Sequence, residues 1–181
     1  HAVAARAVLT STQGWAITGD SPSGTSCGTQ DAFITEWTFS SPATQIQFNA
    51  FTTGSVSYTW AAYPSGNSGS GSFSKLTPGA VTITGLTIAA GDTVILNMDS
   101  TNLRRFYIDS GADKEKLTDV IQWGDLAWIS MEDAFRGCAN LYITATDVPD
   151  LSGLTDLSYM FNNCSSLNGP ANISAWNTAS V

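Results

Sequence analysis

Histidine and charged side chains are scarce in this sequence, and each shortage excludes a class of function. The only histidine is His1, so the chain cannot build a Ser-His-Asp or Cys-His triad or a His-ligated zinc site. A copper site that begins with an amino-terminal histidine also needs a second histidine. Charged residues make up 12% of the chain and the net charge is −8, which disfavours nucleic acid and anionic membranes as partners.

Motifs of nucleotide and thiol chemistry are missing as well. There is no Cys-x-x-Cys pair, no Gly-Lys-Ser/Thr phosphate loop and no Gly-x-Ser-x-Gly elbow. The Gly/Ser-rich stretch at residues 66–72 has no lysine, so it predicts a flexible loop. No apolar run approaches the ~18 residues of a membrane span. We therefore predict no catalytic residues, no cofactor and no membrane insertion.

Between residues 33 and 98, apolar and polar residues alternate with a period of two. Turn-forming residues separate the alternating segments, and Gly85 predicts either a bulge or a switch between sheets. The segments are 33–37, 45–51, 56–63, 80–84, 86–88 and 93–98. Such spacing is typical of an antiparallel β-sandwich, which we place at residues 32–112 after an amino-terminal arm at residues 1–31. Residues 103–108 alternate too, and they either close the sandwich or cap the region that follows.

A repeat with a fixed period organises the carboxy-terminal third of the chain. Phe135 recurs as Phe161, so the period is 161 − 135 = 26, and a cysteine and a leucine recur at the same spacing. A fixed period of this size indicates stacked units, none of which can bury its apolar face alone. Apolar residues within each unit recur at helical spacing, so we predict one short helix per unit. Short parallel strands are predicted at residues 120–123, 145–148 and 173–176.

The second unit reads Leu-Thr-Asp-Leu-Ser-Tyr-Met-Phe-Asn-Asn-Cys-Ser-Ser-Leu-Asn-Gly, and Ile-Ser-Ala-Trp-Asn-Thr-Ala-Ser-Val follows at residues 173–181. This pattern closely resembles the repeat of bacterial surface proteins that belongs with the BspA-like leucine-rich repeats. The resemblance covers residues 117–181. It implies a mainly β protein with short helices, in which a short α/β leucine-rich-repeat-like solenoid at residues 113–181 follows the sandwich. Ala134 and Pro149 depart from the pattern in the first unit and suggest a cap.

The sandwich region resembles the immunoglobulin-like, PKD-like domains that often precede these repeats. It has Trp60-Ala61-Ala62-Tyr63 in place of their Trp-Gly-Asp-Gly turn, so a generic β-sandwich is the safer prediction. The resemblance of the repeat implies that the protein is extracellular or exposed at the cell surface.

The phase of the repeat also predicts the core of the solenoid. The predicted core residues are Trp123, Trp128, Met131, Phe135, Cys138, Leu141, Leu154, Leu157, Met160, Phe161, Cys164, Leu167 and Trp176. Phe135 and Phe161 should be buried and stacked on each other, so that Phe161→Ala costs about 3–5 kcal/mol. Cys138 and Cys164 are either buried thiols or a disulfide pair, and Cys27 is unpaired in both cases.

The open end of the solenoid is predicted to expose apolar side chains, because the third unit stops at Val181 before its helix. The exposed set is Leu157, Phe161, Leu167, Ile173 and Trp176. Such an end should associate with itself, with another coil or with a neighbouring subunit.

A few aromatic and acidic residues suggest ligand sites. Trp60 and Tyr63, beside the Gly/Ser-rich stretch, are candidates for stacking against a carbohydrate. Weak calcium ligands are the other candidates, with solvated loop residues as the alternative interpretation. They are Asp109, Asp113, Asp147 and Asp150.

Three functions remain open at this point. The first is a non-catalytic bacterial cell-surface or secreted protein that acts in adhesion, with a protein or glycan on another cell or in the matrix as its partner. The second is a structural subunit of an extracellular filament or sheath, whose neighbouring subunits meet at the open solenoid end. The third is an accessory carbohydrate-binding module of a larger enzyme.

Overall fold

The computed structural model describes residues 32–181, which form a mainly β protein with almost no helix. The predicted arm at residues 1–31, with His1 and Cys27, lies outside the described residues. Within the described part, the one helical element is a 3-10 helix at Ile173–Ala175. The strands are β1 (Ala32–Thr38), β2 (Ala43–Thr52), β3 (Val56–Tyr63), β4 (Ser68–Phe73), β5 (Gly79–Ile88), β6 (Thr93–Asp99), β7 (Leu103–Tyr107), β8 (Leu117–Gln122) and β9 (Tyr142–Ile143).

These strands form two sheets, and every pairing but one is antiparallel. The larger sheet has the order β4-β3-β6-β1-β8-β9, and the smaller sheet has the order β5-β2-β7. β8 and β9 are the parallel pair, with Val120 opposite Ile143. The alternation of apolar and polar residues fixes the register, because a slip by one residue would turn every apolar side chain away from the core.

Aromatic side chains fill the space between the two sheets. Phe33 of β1 meets Phe106 of β7 with ring centroids 5.1 Å apart, and Trp37 of β1 meets Phe48 of β2 at 6.4 Å. Phe33 also contacts Trp123, just beyond β8, at 6.1 Å. Burying a side chain such as Phe contributes about 1.5–3 kcal/mol, so this cluster is a main source of the attraction between the sheets.

All six alternating segments lie in strands, as predicted. Two of them belong to one strand, β5, in which Gly85 has a left-handed φ of 77°. The predicted bulge is confirmed, because the pairing of β5 with β2 shifts register around this glycine. Glycine adopts such a conformation at little steric cost, so the strand continues across the interruption.

The Gly/Ser-rich stretch forms a strand, so the prediction of a flexible loop there is wrong. Most of it belongs to β4, which pairs with β3 at the edge of the larger sheet. Trp60 lies opposite Gly69, and Tyr58 lies opposite Gly71. A Cβ atom at Gly69 would lie 2.7 Å from Trp60 Nε1, and one at Gly71 would lie 2.5 Å from the Tyr58 hydroxyl. The glycines therefore make room for two large rings that pack across the strand pair.

β7 and β8 show how the two halves of the chain are connected. β7 pairs with β2 and closes the smaller sheet, which is one of the two predicted alternatives. β8 lies beyond the predicted boundary at residue 112, yet it pairs with β1, with Thr35 opposite Val120. The larger sheet is thus continuous across that boundary, and the division into domains stays a prediction.

The predicted helices are wrong, because residues 131–138 and 157–164 form short turns. We name these two stretches the first and second turn segments. Each of them contains two residues with a left-handed backbone conformation, and the first of the two lies in the middle of the turn: Asp133 with φ of 56° and Tyr159 with φ of 57°. A left-handed residue interrupts an α-helix, and alternate backbone N–H groups of the first turn segment bond to the second turn segment instead.

Two of the three predicted parallel strands are also misplaced. Residues 120–123 overlap β8, but the strand beside it is β9 and not residues 145–148. Residues 173–176 contain the 3-10 helix. The position in the second unit that corresponds to β9 includes Gly169, which has a left-handed φ of 81° and precedes a proline. Strand pairing ends there because proline cannot donate a hydrogen bond.

Candidate functional site

A ladder of backbone hydrogen bonds joins the two turn segments. In each bond the acceptor follows the donor by the same interval in the sequence, 158 − 133 = 25. The bonds run from Asp133 N to Ser158 O, from Phe135 N to Met160 O and from Gly137 N to Asn162 O, at 3.0, 2.9 and 2.8 Å. Bonds of the same kind run from residues 108–110 to the first turn segment. These bonds satisfy backbone groups that a helix would have paired internally.

Side chains stack in the same direction as the ladder. Phe135 and Phe161 have ring centroids 5.7 Å apart and planes 11° apart, so the predicted stacking is confirmed. The Cys164 thiol donates to the carbonyl oxygen of Phe135 at 3.0 Å. Trp176 meets both Phe161, at 6.3 Å, and Trp123, at 5.4 Å. The aromatic contacts therefore run from the two sheets through the first turn segment to the second.

The predicted solenoid core is buried near the sheets and only half-buried further along the chain. The buried members are Trp123, Trp128, Met131, Phe135, Cys138, Leu141, Leu154 and Met160. The half-buried members are Leu157, Phe161, Cys164, Leu167 and Trp176. Of the two stacked phenylalanines, only Phe135 is fully buried, which corrects the expectation that both would be.

An apolar groove of about 570 Å³ lies beside the second turn segment. We name it the terminal groove. Its lining residues are Leu157, Tyr159, Met160, Phe161, Asn162, Ile173, Trp176 and Thr178. Ile173 is 52% exposed. Exposed, concave and mostly apolar surfaces of this kind mark interaction sites on soluble proteins, so the terminal groove is the candidate functional site.

One cation borders the terminal groove, and acidic neighbours compensate its charge. The guanidinium of Arg136 lies 5.2 Å from the ring centroid of Tyr159. It also pairs with Asp109 at 3.4 Å and with Asp133 at 3.3 Å. Exposed pairs of this kind contribute only about 0–1 kcal/mol, and their main effect here is to hold the Arg136 side chain beside Tyr159.

The cysteines of the two turn segments are free thiols. Burial raises the pKa of Cys138 far above its usual value, and the neighbouring Cys164 raises it further. Burial also raises the pKa of Cys164, to about 11. Because the thiolate is the reactive form, both thiols should be unreactive near neutral pH.

We expect native Cys138 and Cys164 to react slowly with a thiol reagent at pH 8, and faster as the pH approaches the pKa of about 11 of Cys164. A thiol with that pKa has roughly one thiolate per thousand thiols at pH 8. The measurement is a thiol titration of the folded protein against pH, with protein in guanidinium chloride as the control. Denatured protein should show three thiols, since the chain has three cysteines. A count of one would instead reveal a disulfide.

The two carbohydrate-stacking candidates differ in exposure. Trp60 is 8% exposed, because β4 covers its ring, whereas Tyr63 at the end of β3 is 78% exposed. A buried ring offers no face to a sugar, so Trp60 belongs to the core and that candidate is corrected. Tyr63 stays a prediction as a contact residue.

The four calcium candidates each bond to protein groups. Asp109 pairs with Arg136, and Asp150 accepts hydrogen bonds from Ser152. The Asp113 carboxylate accepts from Gln47 N and from Lys116 Nζ, both at 2.7 Å, and the Asp147 carboxylate accepts from the backbone N–H groups of residues 123 and 124. Within residues 32–181 no three His, Cys, Asp or Glu side chains are grouped so that they could hold a metal ion.

Sequence reasoning missed the backbone ladder and the position of Tyr159 on the terminal groove. One signal was readable. Gly137 and Asn163 occupy the same phase of the repeat, and both have left-handed φ angles, of 83° and 61°. Glycine and asparagine are the residues that most readily adopt this conformation, so their recurrence indicated a turn at the end of each segment.

The described residues thus define a mainly β protein in which two sheets are followed by units that bond to one another through the backbone. No helix among residues 32–181 is long and apolar enough to span a membrane.

Residues 129–181 match the model of a family described as Mycoplasma protein of unknown function, DUF285. A search of curated proteins and a search of solved structures each found no significant match.

Proposed function

We propose that this chain is a non-catalytic protein of the bacterial cell surface, or a secreted one, that acts in adhesion by binding another protein in the terminal groove. The exposed apolar lining of that groove is the observation that carries the proposal. The resemblance of residues 117–181 to BspA-like repeats supports a surface location.

The proposal includes a finer architecture. We infer that residues 32–112 form an immunoglobulin-like β-sandwich and that residues 113–181 form a short leucine-rich-repeat-like solenoid. The two face-to-face sheets support the first part. The regularly spaced backbone bonds between the turn segments and the stacked phenylalanines support the second part.

The lining of the terminal groove favours a protein partner over a glycan. Sugar sites combine aromatic faces with several polar groups that fix the hydroxyls, but most groove residues here are apolar. Tyr63 is the feature that would favour a glycan, and it stands at the end of β3, outside the groove lining.

We expect Ile173→Lys to weaken binding of a protein partner at least tenfold, because a lysine ammonium in the groove would lose water without gaining a partner. Ile129→Lys is the matched control. Ile129 is 55% exposed, close to the 52% of Ile173, but it does not line the groove.

Binding of both variants and of the unchanged chain would be measured by biolayer interferometry against a panel of purified extracellular-matrix proteins and glycans. Thermal unfolding checks that all three proteins are equally folded. Equal binding by the Ile173→Lys variant and the unchanged chain would contradict the proposal, and so would binding confined to glycans.

A further inference from the structure

The backbone ladder has a direction. The first turn segment uses alternate N–H groups, at positions 133, 135 and 137, to bond the carbonyl oxygens of the second turn segment. Residues 108 and 110 donate to positions 134 and 136 in the same direction. Within the ladder, donors therefore bond towards the segment that follows them in sequence, whereas just beyond it Ser166 N donates back to Ala139 O.

The second turn segment repeats the donor positions of the first. Tyr159, Phe161 and Asn163 occupy the positions that correspond to the three donors of the first turn segment, one repeat period later. Within residues 32–181, no acceptor bonds to their backbone N–H groups. Local bonds recur between the segments, since Met160 N donates to Leu157 O as Ala134 N donates to Met131 O. The two backbones are thus alike, and the second differs in its open row of donors.

This row of donors adjoins the terminal groove. Tyr159 and Phe161 both line the groove, and the ring of Phe161 already stacks on Phe135 in a nearly parallel arrangement. The carbonyl oxygens of Ser158, Met160 and Asn162 are occupied by the first turn segment. The exposed side of the second turn segment therefore offers backbone N–H donors beside an apolar surface. Its row of carbonyl acceptors is already bonded to the first turn segment.

We propose that the terminal groove is the docking site for a polypeptide segment with the pattern of the second turn segment. That segment would present three alternate backbone carbonyl oxygens to Tyr159, Phe161 and Asn163 and an aromatic ring to Phe161. The inference rests on the proposed function of the groove in protein binding and names the chemistry of the partner. It continues an interface that the structure already contains between the first and second turn segments.

A second copy of the described residues does not fit this site. Two copies that met through the same edge would place N–H donors against N–H donors. The carbonyl rows of both turn segments are already bonded within the molecule and packed against a neighbouring segment, so a head-to-tail copy has no free row of acceptors to present from its turn segments. The partner must therefore bring a coil whose carbonyl oxygens are free.

The test appends a second copy of residues 155–181 directly after Val181. Val181 N donates to Thr178 O as Leu154 N donates to Leu151 O, so the copied Thr155 follows Val181 in the same local geometry. Amide hydrogen exchange is then followed residue by residue by NMR. We expect exchange at Tyr159, Phe161 and Asn163 to slow at least tenfold relative to the unextended chain.

Two controls keep the outcome decisive. In the first, the appended copies of Leu157, Met160 and Phe161 are replaced by serine, and no slowing is expected. In the second, a synthetic peptide of residues 150–168 is added to the unextended chain at millimolar concentration, which tests docking without fusion. The proposal is overturned if neither the fused copy nor the peptide slows exchange at the three amides. It is also overturned if concentrating the unextended chain alone protects them, because a second copy would then fill the site.

These outcomes separate the inference from the proposed function. If the fused copy protects the three amides but no protein in the binding panel binds, the proposed adhesion function is contradicted and the docking inference is supported. If a panel protein binds in a manner that depends on Ile173, but neither the fused copy nor the peptide protects the amides, only the docking inference is contradicted.

Discussion

Replacing Phe135 with alanine is expected to lower the free energy of unfolding by about 3–5 kcal/mol, as truncation of a fully buried phenylalanine does. Its ring contacts Phe106, Trp123 and Phe161, so the cavity would open between the sheets and the turn segments. Urea-induced unfolding, followed by tryptophan fluorescence, measures the change.

Phe161→Ala is the matched control for this prediction. Phe161 stacks on Phe135 but is only half-buried. Its truncation should therefore cost about 1–2 kcal/mol, in proportion to the smaller area that it removes from water, which lowers the value of about 3–5 kcal/mol expected from the sequence for a fully buried ring. Equal losses for the two variants would show that the terminal groove is as well packed as the interior, contrary to the structure.

The second large effect is expected at Gly124. Its φ is 68°, and a Cβ atom there would lie 2.6 Å from the carbonyl carbon of Ala32 and closer still to the oxygen. Both neighbours are backbone atoms, which cannot rotate away. Gly124→Ala should therefore cost about 3–5 kcal/mol, the sum of left-handed strain and overpacking.

Two other glycines separate the contributions at Gly124. Gly85 has a φ of 77°, but a Cβ atom added there would have nothing within 4 Å, so Gly85→Ala should show only the conformational cost, about 1–2 kcal/mol. Gly153 has neither feature, and Gly153→Ala should change stability by no more than about 0.5 kcal/mol. Urea unfolding of the three variants should rank them in that order. A Gly124→Ala variant as stable as Gly153→Ala would mean that β1 and the residues after β8 are not in contact.

The strands were predictable because their sequence signal and their physical cause coincide. Alternation of apolar and polar residues is what a half-buried strand requires, and in β1, β2, β3 and β6 buried positions alternate with more exposed ones along most of the strand. β4 escaped prediction because its glycines have no side chains to alternate. They are suited to a strand only when Trp60 and Tyr58 lie across from them, and a single stretch of sequence does not contain that information.

The turn segments were mistaken for helices because their buried residues recur at helical spacing although the backbone is not helical. Met131, Phe135 and Cys138 are all buried, as they would be on the inner face of a helix. The difference lies in the backbone, because alternate N–H groups of the first turn segment bond to the second turn segment. Side-chain periodicity does not show which groups the backbone N–H groups bond to. The open row of donors on the second turn segment therefore could not be predicted from the sequence.

In mechanical terms, the pairing of β1 with β8 sets the path of tension through the protein. Ile34 lies opposite Gln122 in antiparallel register. A force that enters at Ala32 and leaves after Gln122 therefore pulls on the same end of both strands. Hydrogen bonds loaded in this way break one after another. In strands that are pulled from opposite ends, all the bonds carry the load at the same time. Along this path the larger sheet would yield by gradual opening between β1 and β8.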